Sequence, residues 1–150
     1  MTDTALGTDV RLELRHYELR PVYVAGTELR AVPRHPRRLG DLAVTAGRDN
    51  LGQAVLMRLL TPRGELAELG HPEYGSRLHE LVGRTNTAST RNLVKLYVLE
   101  ALAGEPRVEK VLEVEVGPAP GTRDLVDVSL RVLPSLNGEP LLIGPLTLEL

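Results

Sequence analysis

The hydrophobic period changes once along this chain, and that change restricts the fold more than any other feature. Apolar residues first recur at helical spacing, as Leu51, Val55, Leu56, Leu59 and Leu60, and then as Leu93, Val94, Leu96, Tyr97, Val98, Leu99, Ala101 and Leu102. Beyond them the period is two. Leu112, Val114 and Val116 alternate with Glu113 and Glu115, and Val126, Val128, Leu130 and Val132 alternate with Asp127, Ser129 and Arg131. A last run sets Leu146, Leu148 and Leu150 against Thr147 and Glu149. The connectors Gly117-Pro118-Ala119-Pro120-Gly121 and Asn137-Gly138 are turn chemistry, so these strands read as an antiparallel meander with one apolar face. The predicted class is α/β of the α+β kind: two principal helices plus a short one packed on an antiparallel, mainly C-terminal sheet.

The element ends are marked. Gly47-Arg48-Asp49-Asn50 offers capping residues for the first helix, and Thr61-Pro62-Arg63-Gly64 stops it, because Pro62 disfavours helical geometry in the residue before it. A loop through His71-Pro72-Glu73-Tyr74-Gly75 follows, its His-Pro step starting a turn and Tyr74 packing it onto the helices. Ser76 can then cap a short helix carrying Leu78, Leu81 and Val82, closed by Gly83. The second long helix is predicted from about Asn86 or Thr87 to Ala103, with Gly104 in a left-handed cap position and Pro106 preventing continuation. Its polar stripe is narrow, chiefly Arg91 and Lys95, so it must be covered on more than one side, by its own sheet or by another protein.

Residues 1–40 are less regular. Val10, Leu12 and Leu14 alternate with charged residues and Val22-Tyr23-Val24 follows Pro21, which suggests short strands. Pro33-Arg34-His35-Pro36-Arg37-Arg38 reads as a solvated basic linker, and Asp41-Leu42-Ala43-Val44 as a short strand. The chain therefore divides into an N-terminal extension, 1–40, and a main domain, 41–150.

Several function classes are disfavoured. With Cys 0 there is no cysteine nucleophile, iron–sulfur cluster or thiolate zinc site, and a net charge of -2 with Phe 0 and Trp 0 offers little to nucleic acid or anionic lipid. No signal peptide and no run of eighteen apolar residues is found, so neither export by that route nor a membrane span is expected. The common phosphate-loop, metalloprotease and serine-hydrolase motifs are missing. Glu65, Glu73 and Glu80 could place two carboxylates about 5–10 Å apart for glycoside hydrolysis, but the aromatic lining of a sugar groove is absent. His71 and His79 give a metal site no support from spacing. No enzymatic activity and no cofactor is expected.

Three segments together resemble a known family. They are Asn50-Leu51-Gly52-Gln53-Ala54-Val55-Leu56-Met57-Arg58-Leu59-Leu60-Thr61-Pro62-Arg63-Gly64-Glu65, His71-Pro72-Glu73-Tyr74-Gly75-Ser76, and Glu105-Pro106-Arg107-Val108. In order and placement they resemble the GPW/TssE-type baseplate wedge proteins of contractile phage tails, type VI secretion systems and extracellular injection particles, over roughly residues 41–150. The resemblance implies a small protein present in six copies around the tail tube, assembled in the cytoplasm into a tail or tail-like particle, with neither nucleic acid nor membrane as partner. Its implied partners are the baseplate wedge proteins and the sheath, with inner tube or hub proteins nearby. Glu105, Pro106 and Arg107 would contact the wedge core bundle. The sheet would resemble the sheath's strand-exchanging handshake region, so that Leu146, Thr147, Leu148, Glu149 and Leu150 start sheath assembly by strand addition. Asn50, Gln53, Arg58, Gly64, Glu65, His71, Pro72, Tyr74 and Gly75 would shape the helix and loop. The family is sometimes labelled lysozyme-like, and IraD, a stress anti-adaptor, resembles the same fold, so a muralytic glycosidase and a soluble regulatory binder are the alternative functions.

Overall fold

The computed structural model describes residues 3–17, 20–29, 31–32, 41–42, 44–135 and 138–150. The basic run 33–38 and Asn137 of the expected Asn-Gly turn lie outside them. In chain order the strands are β1 (Thr8–Val10), β2 (Leu12–Tyr17), β3 (Arg20–Leu29), β4 (Ala31–Val32), β5 (Asp41–Leu42) and β6 (Val44–Ala46). Helix α1 (Gly47–Leu60), α2 (Ala88–Leu102) and strands β7 (Val108–Pro118), β8 (Leu125–Pro134) and β9 (Leu141–Glu149) follow. All pairings between these strands are antiparallel: β1 with β6, β2 with β3, β4 with β5, and β7-β8-β9 as a three-stranded sheet. This is the mixed α and β class read from the periodicity.

The core lies between the two helices and the C-terminal sheet. Leu51, Val55 and Leu59 of α1 meet Val94, Val98 and Leu102 of α2 over Val126, Val128, Leu130 and Val132 of the central strand β8. Every second residue of β8 is buried because β7 and β9 flank it and the helices cover that face. The outer side of α2 stays uncovered at Leu96 and Leu99.

Four local expectations are corrected. First, the residues expected to cap α1 are its first turn. No side chain caps this end; the Gly47 N–H donates instead to the carbonyl of Gly7, 3.1 Å away. Second, Gly104 does not take a left-handed conformation, and α2 ends at Ala103 in ordinary helical geometry. A Cβ at Gly104 would lie 3.2 Å from Arg58 Nη1, so a side chain there would crowd the buried guanidinium. Third, the short helix after Ser76 is a single 3-10 turn, Leu78–Leu81, with Val82 exposed.

The fourth correction concerns β7. A register shift between Val111 and Glu113 inserts an extra residue and changes which side chains face the core. Val108, Val111, Val114 and Val116 pack against the core, and Leu112 points outward at 41% exposure. A second shift, between Val128 and Leu130, lets β9 bend at Gly144, whose φ of +113 and proximity to the Val128 carbonyl exclude a side chain. The N-terminal residues share this packing. Leu6, in a 3-10 turn at Asp3–Leu6, is buried in the core, and β3 lies against β9.

Candidate functional site

The charged side chains that are withdrawn from water meet at the corner between α2 and β7. Arg58 lies on the apolar stripe of α1, three residues after Val55, and is only 8% exposed. A guanidinium there requires a buried counter-charge, and Glu105 provides it. Glu105 is 4% exposed; it accepts from Arg58 Nη2 at 3.5 Å and from Arg107 Nε at 2.6 Å and Nη2 at 3.2 Å. The Arg107 main-chain N–H adds a bond to the same carboxylate at 3.3 Å. Pro106 lies between the partners and fixes φ, so Arg107 folds back on Glu105 two residues before it.

Burial pushes the Glu105 carboxyl up, but the hydrogen bonds and charge of Arg107, with the charge of Arg58, outweigh it and hold the group below the usual carboxylate range. Glu105 is thus a buried partner of two arginines and not a surface charge beside the end of α2. Arg107 keeps 31% of its side chain exposed. Two cations share one carboxylate, the charge of Asp9 also acts on Arg107, and Arg58 Nε has no hydrogen-bond partner.

The loop from Thr61 to Ser76 rests on this corner. Arg58 stacks over the Tyr74 ring at 4.5 Å, and burial pushes the Tyr74 hydroxyl pKa up. The loop closes on itself through Arg63 N–H to the Ser76 carbonyl and Ser76 N–H to the Thr61 carbonyl, both 2.8 Å. Gly75 makes that closure possible: its φ is +104, and a Cβ would lie 2.5 Å from the Thr61 carbonyl oxygen. Gly64 has φ +88, and the His71 carbonyl accepts from the Tyr74 N–H across the expected turn at Pro72. At the loop tip Glu65 and His71 are exposed. Asn50 and Gln53 face the N-terminal segment, donating to the carbonyls of Leu6 and Val10, both at 2.9 Å.

The three glutamates weighed for glycoside hydrolysis stand differently. Glu73 and Glu100 both bind Arg63, and Glu80 is forked by Arg77 at 2.9 and 3.0 Å. The Arg77 hydrogen bonds hold the Glu80 carboxyl below its usual range, whereas a general acid needs a carboxyl held above it. Arg63, Glu73, Arg77 and Glu100 line a polar cleft of about 140 Å³. A more apolar cavity of about 220 Å³ lies between the end of α1, the 3-10 turn at Leu78 and Leu148 of β9.

On β9, Leu146 and Leu150 are buried in the chain's own core and Leu148 is half-buried. Thr147, on the other face, is also buried and donates to the Asp127 carboxylate at 2.6 Å; Glu149 is exposed. These leucines are thus held internally, whereas Leu142 of β9, 70% exposed, and Glu149 face solvent. The buried Arg58 is the functional residue that spacing alone did not single out as charged core. Its position on the stripe Leu51, Val55, Leu59 was the available signal.

No family model matches this chain, and no curated protein matches it. Among solved structures, a protein from Geobacter sulfurreducens described as a candidate tail lysozyme has a similar fold. The TM-score is 0.54 at 24% sequence identity, covering 68% of this chain and 89% of that one. The likeness is one of fold.

Proposed function

We propose that this chain is a structural baseplate component of a contractile, phage tail-like particle, joining the wedge core bundle to the first sheath ring without catalysing a reaction. The observation that carries the reading is the fold likeness to a protein described as a candidate tail lysozyme. The residues support it: Glu105, Pro106 and Arg107 stand together at one corner, and Arg107 keeps 31% of its side chain exposed. A guanidinium has five N–H donors, and the bonds of Arg107 to Glu105 and to the Leu6 carbonyl use three of them. The rest can meet a carboxylate or carbonyls of the wedge bundle, with Glu105 acting as the group that orients Arg107. The sheath contact falls to the main chain of β9.

Two variants test the contact. Arg107→Lys keeps the charge and loses the fork, and it should lower stability modestly while abolishing co-purification of the wedge proteins. Glu105→Gln should cost more stability yet retain wedge binding, because an amide oxygen can still accept from Arg107 and orient it. Binding that follows melting temperature across the pair, instead of following Arg107, would sink the reading. The neighbour's description favours a second reading, peptidoglycan cleavage. It is opposed by carboxylates that are paired with arginine and held low at Glu80 and Glu105. Turbidity of a peptidoglycan suspension should not fall with the purified protein; clearing that disappears in Glu73→Gln would establish the hydrolase instead.

A further inference from the structure

The N-terminal segment meets the corner at the Leu6 carbonyl and through the charge of Asp9, which acts on Arg107. The Leu6 carbonyl oxygen accepts from Asn50 Nδ2 at 2.9 Å and from Arg107 Nη1 at 3.3 Å, so one oxygen joins α1, the corner and the segment 3–10. A carbonyl has two lone pairs, and both are in use. Around it the segment is fixed at successive points. Leu6 is 5% exposed in the core, Gly7 receives the Gly47 N–H, Thr8–Val10 pairs with Val44–Ala46, and the Val10 carbonyl receives Gln53. Gly7 has φ +78, the conformation that turns the chain from the buried Leu6 into the strand pairing.

We propose that residues 3–10 are a latch whose closure and the inward pose of Arg107 are one conformational event. When the segment lifts, Arg107 Nη1 loses its acceptor, and the side chain, then held by Glu105 alone, opens more often to solvent or to a partner. When Arg107 is drawn outward, the Leu6 carbonyl keeps only the Asn50 bond and the segment loosens. The coupling must be the same in both directions, because it is a free energy shared by the two contacts. A force or a ligand acting on the N-terminal segment is thereby reported at Arg107. The inference stands on the segment's own hydrogen bonds and is independent of the baseplate reading.

Hydrogen exchange measured by NMR tests it on the full chain. Two variants loosen the latch without altering the corner: Leu6→Ala removes the buried anchor, and Gly7→Val places a strained branched residue at positive φ, its Cβ 3.4 Å from Asn50 Nδ2. The expected result is faster exchange at the Gly47 amide, which reports the latch, and at Arg107 Nε–H, both by a similar factor of about fivefold or more. The buried Val98 amide in α2 should hold its rate, excluding global unfolding. Reciprocally, Arg107→Lys should accelerate exchange at Gly47. Acceleration at Gly47 with an unchanged Arg107 Nε–H, or an unchanged Gly47 in Arg107→Lys, would overturn the latch.

Discussion

Glu105 is where a single proton matters most. Its folded pKa lies below its unfolded value, so the stability it contributes is complete above the ordinary glutamate range, about 4.3, and is lost as pH falls through the lower folded value. Glu105→Gln keeps the shape of the side chain and removes the charge between two guanidiniums. At neutral pH it should cost about 3 kcal/mol, the low end for breaking a buried pair, since Arg107 is partly in water. The variant and the parent should draw together as pH falls below about 4.3 and converge in acid below the folded value, where the parent has lost the same charge. Urea unfolding at both pH values checks this; a difference that persists undiminished in acid would assign the cost to packing. Arg107 is singled out in the sequence by the family resemblance of Glu105-Pro106-Arg107 and not by its place after a helix stop. That it binds its own Glu105 could not be read there, because a turn geometry and not a spacing brings the two together.

Among the elements, β7 shows where periodicity misleads. Strict alternation from Leu112 to Val116 assigns Leu112 to the core, yet one extra residue at Val111 to Glu113 reverses the parity upstream of it. Leu112→Thr should therefore change stability by no more than about 0.5 kcal/mol, as expected for an exposed site. Val114→Thr, which places a hydroxyl against the core, should cost more than about 1 kcal/mol. Equal costs at the two positions would refute the shifted register. Strand β8 was legible in full because both of its edges are paired and nothing interrupts its alternation. α1 and α2 were legible for the same reason, as Thr87 caps α2 and Pro62 stops α1 near the expected places. The entry to α1 was not, because its cap is a main-chain carbonyl from Gly7, which no side-chain signature records.

At the scale of the whole molecule, the corner cluster ties together parts of the chain that are remote in sequence. Arg58 reaches Glu105 across 47 residues and Leu6 reaches Arg107 across 101. The expected division at residue 40 leaves residues 6–10 on one side and their partners Asn50, Gln53 and Arg107 on the other. Contacts of such separation close loops whose entropy is costly, so they form after the local helices and the β7-β8-β9 meander. The corner is therefore a late event in folding and an early one in unfolding. Weakening it changes the rate of escape from the native state more than the rate of reaching it. At a cost of about 3 kcal/mol, Glu105→Gln should unfold on the order of a hundred times faster with its refolding rate nearly unchanged. In kinetic terms, the charge cluster sets how long a folded copy lasts.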